Sequence, residues 1–313
     1  MKLLIPDTVE FALDPIDGVQ IIEYQAAERL PVEHEDAEAL VAWGNSDAWL
    51  SDVAQRLTRL RWVQTLSAGT DQMIASGFAP QVTITSGRSL QNPGVAEHAL
   101  ALALAGARRI HTLTRAQLGH RWAAEIGGRQ PIRDPERVTT LRDAHVVVWG
   151  FGSIAQTLAP MLTALGSRVT GVARSAGERG GYPVIAEADV DSILPSADVL
   201  IMIMPSTPQT RHLLNAKRLA LLSHRTWVVN VGRGTTIDEA ALIDALRAER
   251  IAGAALDVTE IEPLPLSSPL WDLPNVIITP HTAGGRPVGA ADLVRDNAIA
   301  LRDGQPLANT IAR

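Results

Sequence analysis

One segment of the sequence limits the fold more than any other. Residues 146–176 read VVVWGFGSIAQTLAPMLTALGSRVTGVARSA. A short apolar run ends at Gly150, and Gly150, Gly152 and Ala155 form a G-x-G-x-x-A pattern that opens an amphipathic stretch. A strand that turns on glycines into a helix is typical of a Rossmann βαβ unit, whose helix N-terminus holds a pyrophosphate. The segment predicts dinucleotide binding, with Gly150, Gly152, Ser153 and Ile154 as contacts.

The same segment departs from the usual pattern at the end of its second strand. An acid about twenty residues after the glycines commonly binds a ribose of the dinucleotide, but this chain has Ala173, followed by Arg174 and Ser175. Ala173 removes the charge that would repel a 2′-phosphate, and the next two residues can donate hydrogen bonds to it. We therefore expect NADP(H) to be preferred and NAD(H) to remain possible. Arg179 adds a second charge if its loop folds inward.

Strand-like and helix-like patterns alternate along the whole chain, which indicates an α/β fold with a mainly parallel sheet. A length of 313 residues favours two domains of roughly 100 to 200 residues each. A helical run from Val95 to about Gln117 is expected to carry the crossing between them. Thr236 and Glu239 predict a capping box before the helix EAALIDALRAER.

Composition argues against several classes of protein. The net charge is −6, and there is no cysteine, so neither nucleic-acid binding nor a cysteine-ligated metal is expected. The longest apolar run, residues 99–107, is about half of a membrane span, and we expect a cytoplasmic protein without a membrane segment. The histidines lack metal-ligand spacing, so no metal is expected, and His98, in the apolar helix, is interpreted as a core residue whose polar atoms are satisfied.

Four polar residues follow three apolar strands of the second half. Arg233 follows TWVVNV, Asp257 and Glu262 follow AGAAL, and His281 follows NVIIT. Carboxyl ends of parallel strands share one edge of a sheet, where ligands bind. A guanidinium there can pair with a carboxylate and polarise a ketone, and a histidine supported by an acid can donate a proton. These residue types suit carbonyl reduction by a nicotinamide. The structural alternatives are that Arg233 caps a turn, that Glu262 is a solvated loop acid and that His281 is a packed turn histidine.

Several motifs, in this order, resemble the D-isomer-specific 2-hydroxyacid dehydrogenase family. They are NPGVAEHALALAL, VWGFGSIAQTLAPMLTALGSRV, MPSTPQTRHLLN, VVNVGRGTTIDEAALIDAL and ALDVTEIEPLPLSSPLWDLPNVIITPHTAGG. The resemblance implies a doubly wound, Rossmann-type cofactor domain over residues 98–285. It also implies a smaller flavodoxin-like substrate domain made of residues 1–97 and 286–313, and a homodimer formed through the cofactor domain.

The resemblance also implies roles for individual residues. Arg233 would bind the substrate carboxylate and carbonyl, while Glu262 and His281 would form the acid/base pair. The expected contacts beyond these are Asp257 to the nicotinamide carboxamide, Pro205 and Thr210 beside the cofactor, and the backbone of Ala68 and Gly69 to the substrate carboxylate. The implied reaction is reduction of a small 2-oxoacid, with glyoxylate or hydroxypyruvate favoured, to the D-2-hydroxyacid with NADPH.

Two other functions remain open on the sequence. Nucleotide-sensing transcriptional corepressors share this fold and the triad of Arg233, Glu262 and His281. They act by binding partner proteins. Formate-type and phosphite-type dehydrogenases share the fold as well. Formate enzymes resemble this chain less, because they usually carry glutamine at the position of Glu262.

Overall fold

The computed structural model describes residues 1–10, 13–131 and 134–311. The chain divides into two compact units. Unit 1 consists of Met1–Gln91 and Arg286–Arg313, and unit 2 of Asn92–Gly285. The sequence-based boundary between residues 97 and 98 falls inside a helix that begins at Asn92, the first residue of unit 2.

Unit 1 contains a five-stranded parallel sheet. Its order, β2-β1-β3-β4-β5, is the flavodoxin-like order, as the prediction required. The inner strands β3 and β4 are buried along their whole length, which is typical of parallel strands covered on both faces. The strands are β1 (Lys2–Pro6), β2 (Gln20–Tyr24), β3 (Ala39–Ala42), β4 (Trp62–Thr65) and β5 (Thr83–Thr85).

Unit 2 contains an eight-stranded sheet in the order β13-β12-β11-β10-β6-β7-β9-β8. All neighbours pair in parallel except β8 and β9, which form an antiparallel hairpin at one edge. The strands are β6 (His145–Trp149), β7 (Arg168–Ala173), β8 (Gly177–Arg179), β9 (Tyr182–Ala186), β10 (Val199–Met202), β11 (Trp227–Asn230), β12 (Gly253–Leu256) and β13 (Val276–Ile278). The strand order reverses between β6 and β10, which is the switch point of a doubly wound sheet. The predicted Rossmann-type fold is confirmed.

Helices cover both faces of the unit 2 sheet. In the described ranges the α-helices of unit 2 are α3 (Asn92–Ala107), α4 (Ile110–Leu118), α5 (Ser153–Ala164), α6 (Ala216–Leu219) and α7 (Glu239–Arg247). Those of unit 1 are α1 (Asp47–Arg56), α2 (Asp71–Ala75) and α8 (Ala290–Arg302). Helices α3 and α5 bury their apolar residues in one core cluster, and α7 contributes to a second cluster made with the alternate side chains of the same strands. Of these helices none is both long and apolar enough to span a membrane.

The helix predicted from Val95 to about Gln117 is in fact two helices. Helix α3 ends at Ala107, and α4 begins at Ile110. Between them Arg109 has a left-handed φ of 53°, which cannot continue a right-handed helix. The prediction of one continuous helix was therefore wrong.

The start of α7 also differs from the prediction. Its N-cap is Asp238, whose carboxylate accepts a hydrogen bond from the amide of Ala241 at 3.0 Å. Thr236 does not cap the helix, because its hydroxyl donates to the carbonyl of Arg233 at 2.6 Å. The predicted capping box was wrong, and Thr236 instead supports the loop that carries Arg233.

Candidate active site

The glycine turn lies between β6 and α5, at the switch point of the unit 2 sheet. Gly150 has a φ of 101°, a backbone conformation that side chains other than hydrogen disfavour. A Cβ atom at this position would lie 2.5 Å from the carbonyl oxygen of Ile203. The first glycine is therefore required by both the turn and the neighbouring chain after β10.

The second glycine begins the helix that follows. Gly152 is the N-cap of α5, and a Cβ atom there would meet nothing within 4 Å. The amide of Gln156 donates to the carbonyl of Gly152 at 3.0 Å, so the amides of Ser153 and Ile154 come before the first helical hydrogen bond. The space beside Gly152 would let a pyrophosphate approach the backbone at this helix N-terminus.

The end of β7 carries the residues expected to distinguish NADP from NAD. Ala173 is the last residue of β7, and Arg174 and Ser175 follow it with exposed side chains. The β8–β9 hairpin brings Arg179 back to this position: its Nη1 donates to the carbonyl of Phe151 at 3.1 Å, and its Nη2 donates to the hydroxyl of Ser175 at 3.2 Å. The loop of Arg179 thus folds inward, which was the condition for this residue to add a second positive charge beside Arg174.

Arg233 follows β11 in a loop that is fixed by close backbone contacts. A Cβ atom at Gly234 would lie 1.9 Å from the carbonyl oxygen of Thr259, so only glycine fits beside Arg233. The carbonyl of Arg233 accepts hydrogen bonds from the Thr236 hydroxyl and from Nδ2 of Asn230 at 3.1 Å. The guanidinium donates to the carbonyl of Gly232 at 2.8 Å. The loop thus holds the arginine at the carboxyl edge of the sheet.

Glu262 and His281 form a hydrogen-bonded pair at the same edge. Nδ1 of His281 lies 2.7 Å from Oε2 of Glu262, and the other carboxylate oxygen of Glu262 accepts from the amide of Thr259 at 3.1 Å. His281 has a left-handed φ of 52°, and its amide donates to the carbonyl of Asp257 at 2.8 Å. Because the carboxylate can only accept, Nδ1 carries a hydrogen. Nε2 is left as the nitrogen that can exchange a proton with a ligand.

The pair shifts the pKa of each partner. The hydrogen bond to Glu262 raises the pKa of His281 above its usual value, against partial burial and the positive charge of Arg233. Burial alone would raise the pKa of Glu262, but the hydrogen bond and the positive charges of His281 and Arg233 outweigh burial and lower it. The arrangement therefore favours imidazolium beside carboxylate, which is the state that a proton donor requires.

Replacing Glu262 with glutamine is expected to lower the pKa of His281. The substitution removes the negative charge that stabilises the imidazolium, while a neutral amide keeps the side-chain shape. The His281 ring would then lose its proton at lower pH than in the wild type. NMR titration of the imidazole Cε1 proton measures the shift. Glu260→Gln is the matched control, because Glu260 pairs with His212 at 2.7 Å, and it should leave His281 unchanged; an equal pKa in Glu262→Gln and wild type would contradict the pairing.

Asp257 is buried and holds the loop of His281 in place. Its side chain is 1% exposed. Oδ1 accepts hydrogen bonds from the Thr279 hydroxyl at 2.6 Å and the Thr282 amide at 2.9 Å, and Oδ2 accepts from the Ala283 amide at 3.0 Å. The role in binding the nicotinamide carboxamide stays a prediction, whereas the contacts within the loop are observed.

His98, on α3, contacts the same loop. Its Nε2 lies 3.0 Å from the hydroxyl of Thr279 and 3.2 Å from Oδ1 of Asp257, which agrees with the expectation of a histidine whose polar atoms have partners. The partners themselves were not predicted, because α3 passes beside the carboxyl ends of β12 and β13 only in the folded chain. The available signal was a single polar ring in an apolar helix, since a partly buried polar group needs a partner.

The remaining predicted contacts lie in two loops. After β10, the hydroxyl of Thr210 donates to the carbonyl of Pro205 at 2.7 Å, so both belong to one turn at the carboxyl edge of the unit 2 sheet. Ala68 and Gly69 lie in unit 1, between β4 and α2. Their roles stay predictions. In the ranges that the structure describes, no group of three or more acidic or histidine side chains is placed to hold a metal.

A doubly wound sheet with a glycine turn at its switch point binds dinucleotides, and here an arginine and a histidine hydrogen-bonded to a glutamate lie at the same edge. Unit 2 is the cofactor-binding unit of an NAD(P)-dependent oxidoreductase. A family model for the NAD-binding domain of D-isomer specific 2-hydroxyacid dehydrogenases matches residues 100–283. The chain belongs to the D-isomer-specific 2-hydroxyacid dehydrogenase family, which confirms the resemblance seen in the sequence.

The chain is also similar to individual members of this family. Glyoxylate/hydroxypyruvate reductase B of Serratia proteamaculans is 31% identical over 285 residues, which cover 88% of this chain and 85% of that protein. A D-isomer specific 2-hydroxyacid dehydrogenase from Xanthobacter autotrophicus Py2, solved with NADPH and MES, has a TM-score of 0.78 and 31% identity over 95% of this chain and 90% of its own. The NADPH-dependent glyoxylate/hydroxypyruvate reductase of Sinorhizobium meliloti, solved with NADP and sulfate, has a TM-score of 0.80 and 25% identity over 99% and 97%.

Proposed function

We propose that the protein is a cytoplasmic reductase that converts a small 2-oxoacid to the D-2-hydroxyacid with NADPH, with glyoxylate and hydroxypyruvate as the favoured substrates. The hydrogen-bonded Glu262–His281 pair beside Arg233 carries the proposal, because these groups supply a proton and an anchor for a carboxylate. Relatives named as glyoxylate/hydroxypyruvate reductases, 31% and 25% identical to this chain, support the substrate class.

The proposed mechanism divides the work among a few side chains. The nicotinamide, when bound, supplies the hydride. Arg233 pairs with the substrate carboxylate and polarises the ketone oxygen, and His281 donates the proton from Nε2 to that oxygen. Glu262 keeps the imidazolium stable until the transfer. On the family resemblance alone, Ala68 and Gly69 are proposed as backbone ligands of the substrate carboxylate.

A substrate panel with both nicotinamides tests the function. Oxidation of NADPH, followed by absorbance, is expected with glyoxylate and hydroxypyruvate. A corepressor-like protein would bind the dinucleotide without turning over any 2-oxoacid. A phosphite-type or formate-type dehydrogenase would instead reduce NADP or NAD in the presence of phosphite or formate, and either result would replace our proposal.

The preference for NADP rests on the positive charges at the end of β7. Arg174 and Arg179 lie around Ser175 where an acid would otherwise bind the ribose, and Arg179 already donates to the Ser175 hydroxyl. Anchored to the carbonyl of Phe151, Arg179 does not have to be ordered when a phosphate binds. The proposed 2′-phosphate site therefore combines two guanidinium groups and a hydroxyl.

Substituting Arg174 with alanine is expected to erase most of the NADPH preference. A hydrogen bond to a charged group contributes roughly 1.5 to 3 kcal/mol, so the ratio of kcat/KM values for NADPH and NADH should fall about ten- to hundredfold. NADH kinetics should stay close to wild type. Arg168→Ala is the matched control, because Arg168 is an exposed arginine at the opposite end of β7. Equal efficiency with both cofactors in the wild type would refute the assignment.

We also propose that the protein forms a homodimer through unit 2. Apolar side chains on and after α4 are unusually exposed: Leu118 is 76% exposed and Trp122 is 92% exposed. Contiguous exposed apolar residues mark association surfaces, and a second copy of unit 2 is the proposed partner. Sedimentation equilibrium tests the proposal, since a mass of one chain at micromolar concentration would contradict it.

A further inference from the structure

The contact between α3 and Asp257 assigns a proton to His98. A carboxylate can only accept hydrogen bonds, and a threonine hydroxyl has one hydrogen to donate. The Thr279 hydroxyl lies 2.6 Å from Oδ1 of Asp257 and gives its hydrogen to that atom. Both Asp257 and Thr279 therefore offer lone pairs to Nε2 of His98, at 3.2 and 3.0 Å. Nε2 of His98 must carry a hydrogen and donate it to this pair.

This donation reaches the loop that carries His281. Asp257 receives hydrogen bonds from the amides of Thr282 and Ala283, immediately after His281 in the chain. His281 itself has a left-handed φ of 52°, a backbone conformation that is uncommon for residues other than glycine. Asp257 is thus the common anchor for the loop, and His98 and Thr279 fix the orientation of its carboxylate.

We propose that His98 is a positioning residue for the reaction: its Nε2–H fixes the Asp257 carboxylate, which in turn holds the 279–283 loop so that His281 is correctly placed. The proposal rests on the proposed function for its kinetic consequence. A residue that only filled core space would act through its shape, whereas a positioning residue acts through its hydrogen bond. The two roles are separated by substitutions that keep one property and lose the other.

His98→Leu keeps apolar bulk in the helix and removes the donor, whereas His98→Gln places an amide N–H where Nε2 was. Hydrogen exchange of peptides covering Thr282 and Ala283, measured by mass spectrometry, should accelerate about tenfold or more in the leucine variant, because their acceptor is no longer fixed. The kcat for glyoxylate should fall about 10- to 100-fold. The glutamine variant should stay within about threefold of wild type in both measurements.

A binding control separates this effect from general damage. Affinity for 2′-phospho-ADP-ribose, which has no nicotinamide, should be unchanged in both variants, since its proposed contacts lie at β7 and α5. If the leucine variant does not fold, Thr279→Val compared with Thr279→Ser provides the second test, because only valine removes the hydroxyl that donates to Asp257. Valine should then reproduce the faster exchange and the lower kcat.

Three results would overturn the proposal. They are unchanged exchange in the leucine or valine variant, faster exchange with wild-type kcat, and a glutamine variant as impaired as leucine. Failure of the proposed function itself is distinct, because wild-type protein would then reduce no 2-oxoacid in the panel. In that case the exchange measurement, which needs no substrate, still decides whether His98 fixes the loop, and wild-type exchange in His98→Leu would reject it.

Discussion

Replacing His281 with alanine is expected to lower the turnover of 2-oxoacid reduction by roughly 10²- to 10⁴-fold, which is the usual contribution of a positioned general acid. NADPH binding should change little, because the imidazole is not among the proposed dinucleotide contacts, which lie on α5, at the end of β7 and after β10 and β12. The imidazole is the group whose pKa the Glu262 pair raises, so its loss removes the proton source and leaves the anchor Arg233. Measurements of kcat at saturating NADPH and of the NADPH dissociation constant by fluorescence test both parts.

A second substitution at His281 guards against an indirect effect on the backbone. His281 has a φ of 52°, where alanine is strained and asparagine is tolerated. The asparagine amide can also replace Nδ1 as donor to Glu262, yet it has no proton to transfer near neutral pH. His281→Asn should therefore be impaired as strongly as His281→Ala. Wild-type rates of glyoxylate reduction in the asparagine variant would remove His281 from the acid/base role.

The sequence was sufficient for features that are encoded locally. The glycine turn, the apolar parallel strands and the residues directly after each strand follow from steric requirements and hydrophobic pattern. Because carboxyl ends of parallel strands share an edge, Arg233, Glu262 and His281 could be assigned to one edge without knowing the turns between them. The hydrogen bond between Glu262 and His281 at 2.7 Å is the geometry that this reasoning required.

Features that depend on tertiary contacts were beyond the sequence. Thr236 and Glu239 match a capping box in the sequence. In the structure the Thr236 hydroxyl donates to the carbonyl of Arg233, and the Glu239 carboxylate accepts from the amide of Glu260 at 3.0 Å. Thr236 is thus taken by a carbonyl three residues before it, and Glu239 by an amide 21 residues after it, instead of by each other. The N-cap is instead Asp238, one residue before the helix, whose side-chain oxygen accepts a hydrogen bond from a helix amide as a threonine hydroxyl would.

His98 and Arg179 illustrate the same limit at the site itself. Nothing in the helical pattern of α3 shows that His98 faces the ends of β12 and β13, because their distance from α3 is set by packing on the sheet. The inward position of Arg179 depends on the short β8–β9 hairpin, whose glycines allow two strands where the sequence suggested only a loop. Each contact required the folded arrangement of elements before it could be recognised.

Replacing Arg233 with lysine is expected to lower kcat/KM for 2-oxoacid reduction by roughly 10²- to 10³-fold, comparable to losing an oriented donor to a developing oxyanion. Lysine keeps the positive charge but loses the planar, two-pronged contact to the carboxylate and ketone. Both kcat and KM should suffer.

The charge match makes this substitution a test of geometry. Arg233 influences the pKa values of Glu262 and His281 through its positive charge, and lysine at the same position preserves the sign of that influence. The guanidinium donates a hydrogen bond to the carbonyl of Gly232, which helps to orient its planar group, whereas an ammonium rotates freely on a flexible stem. An unchanged His281 titration with a large kinetic loss would therefore assign the effect to the fork of the guanidinium. Kinetic constants within a few-fold of wild type would show instead that a point charge suffices, and Arg233 would lose its proposed part in orienting the substrate.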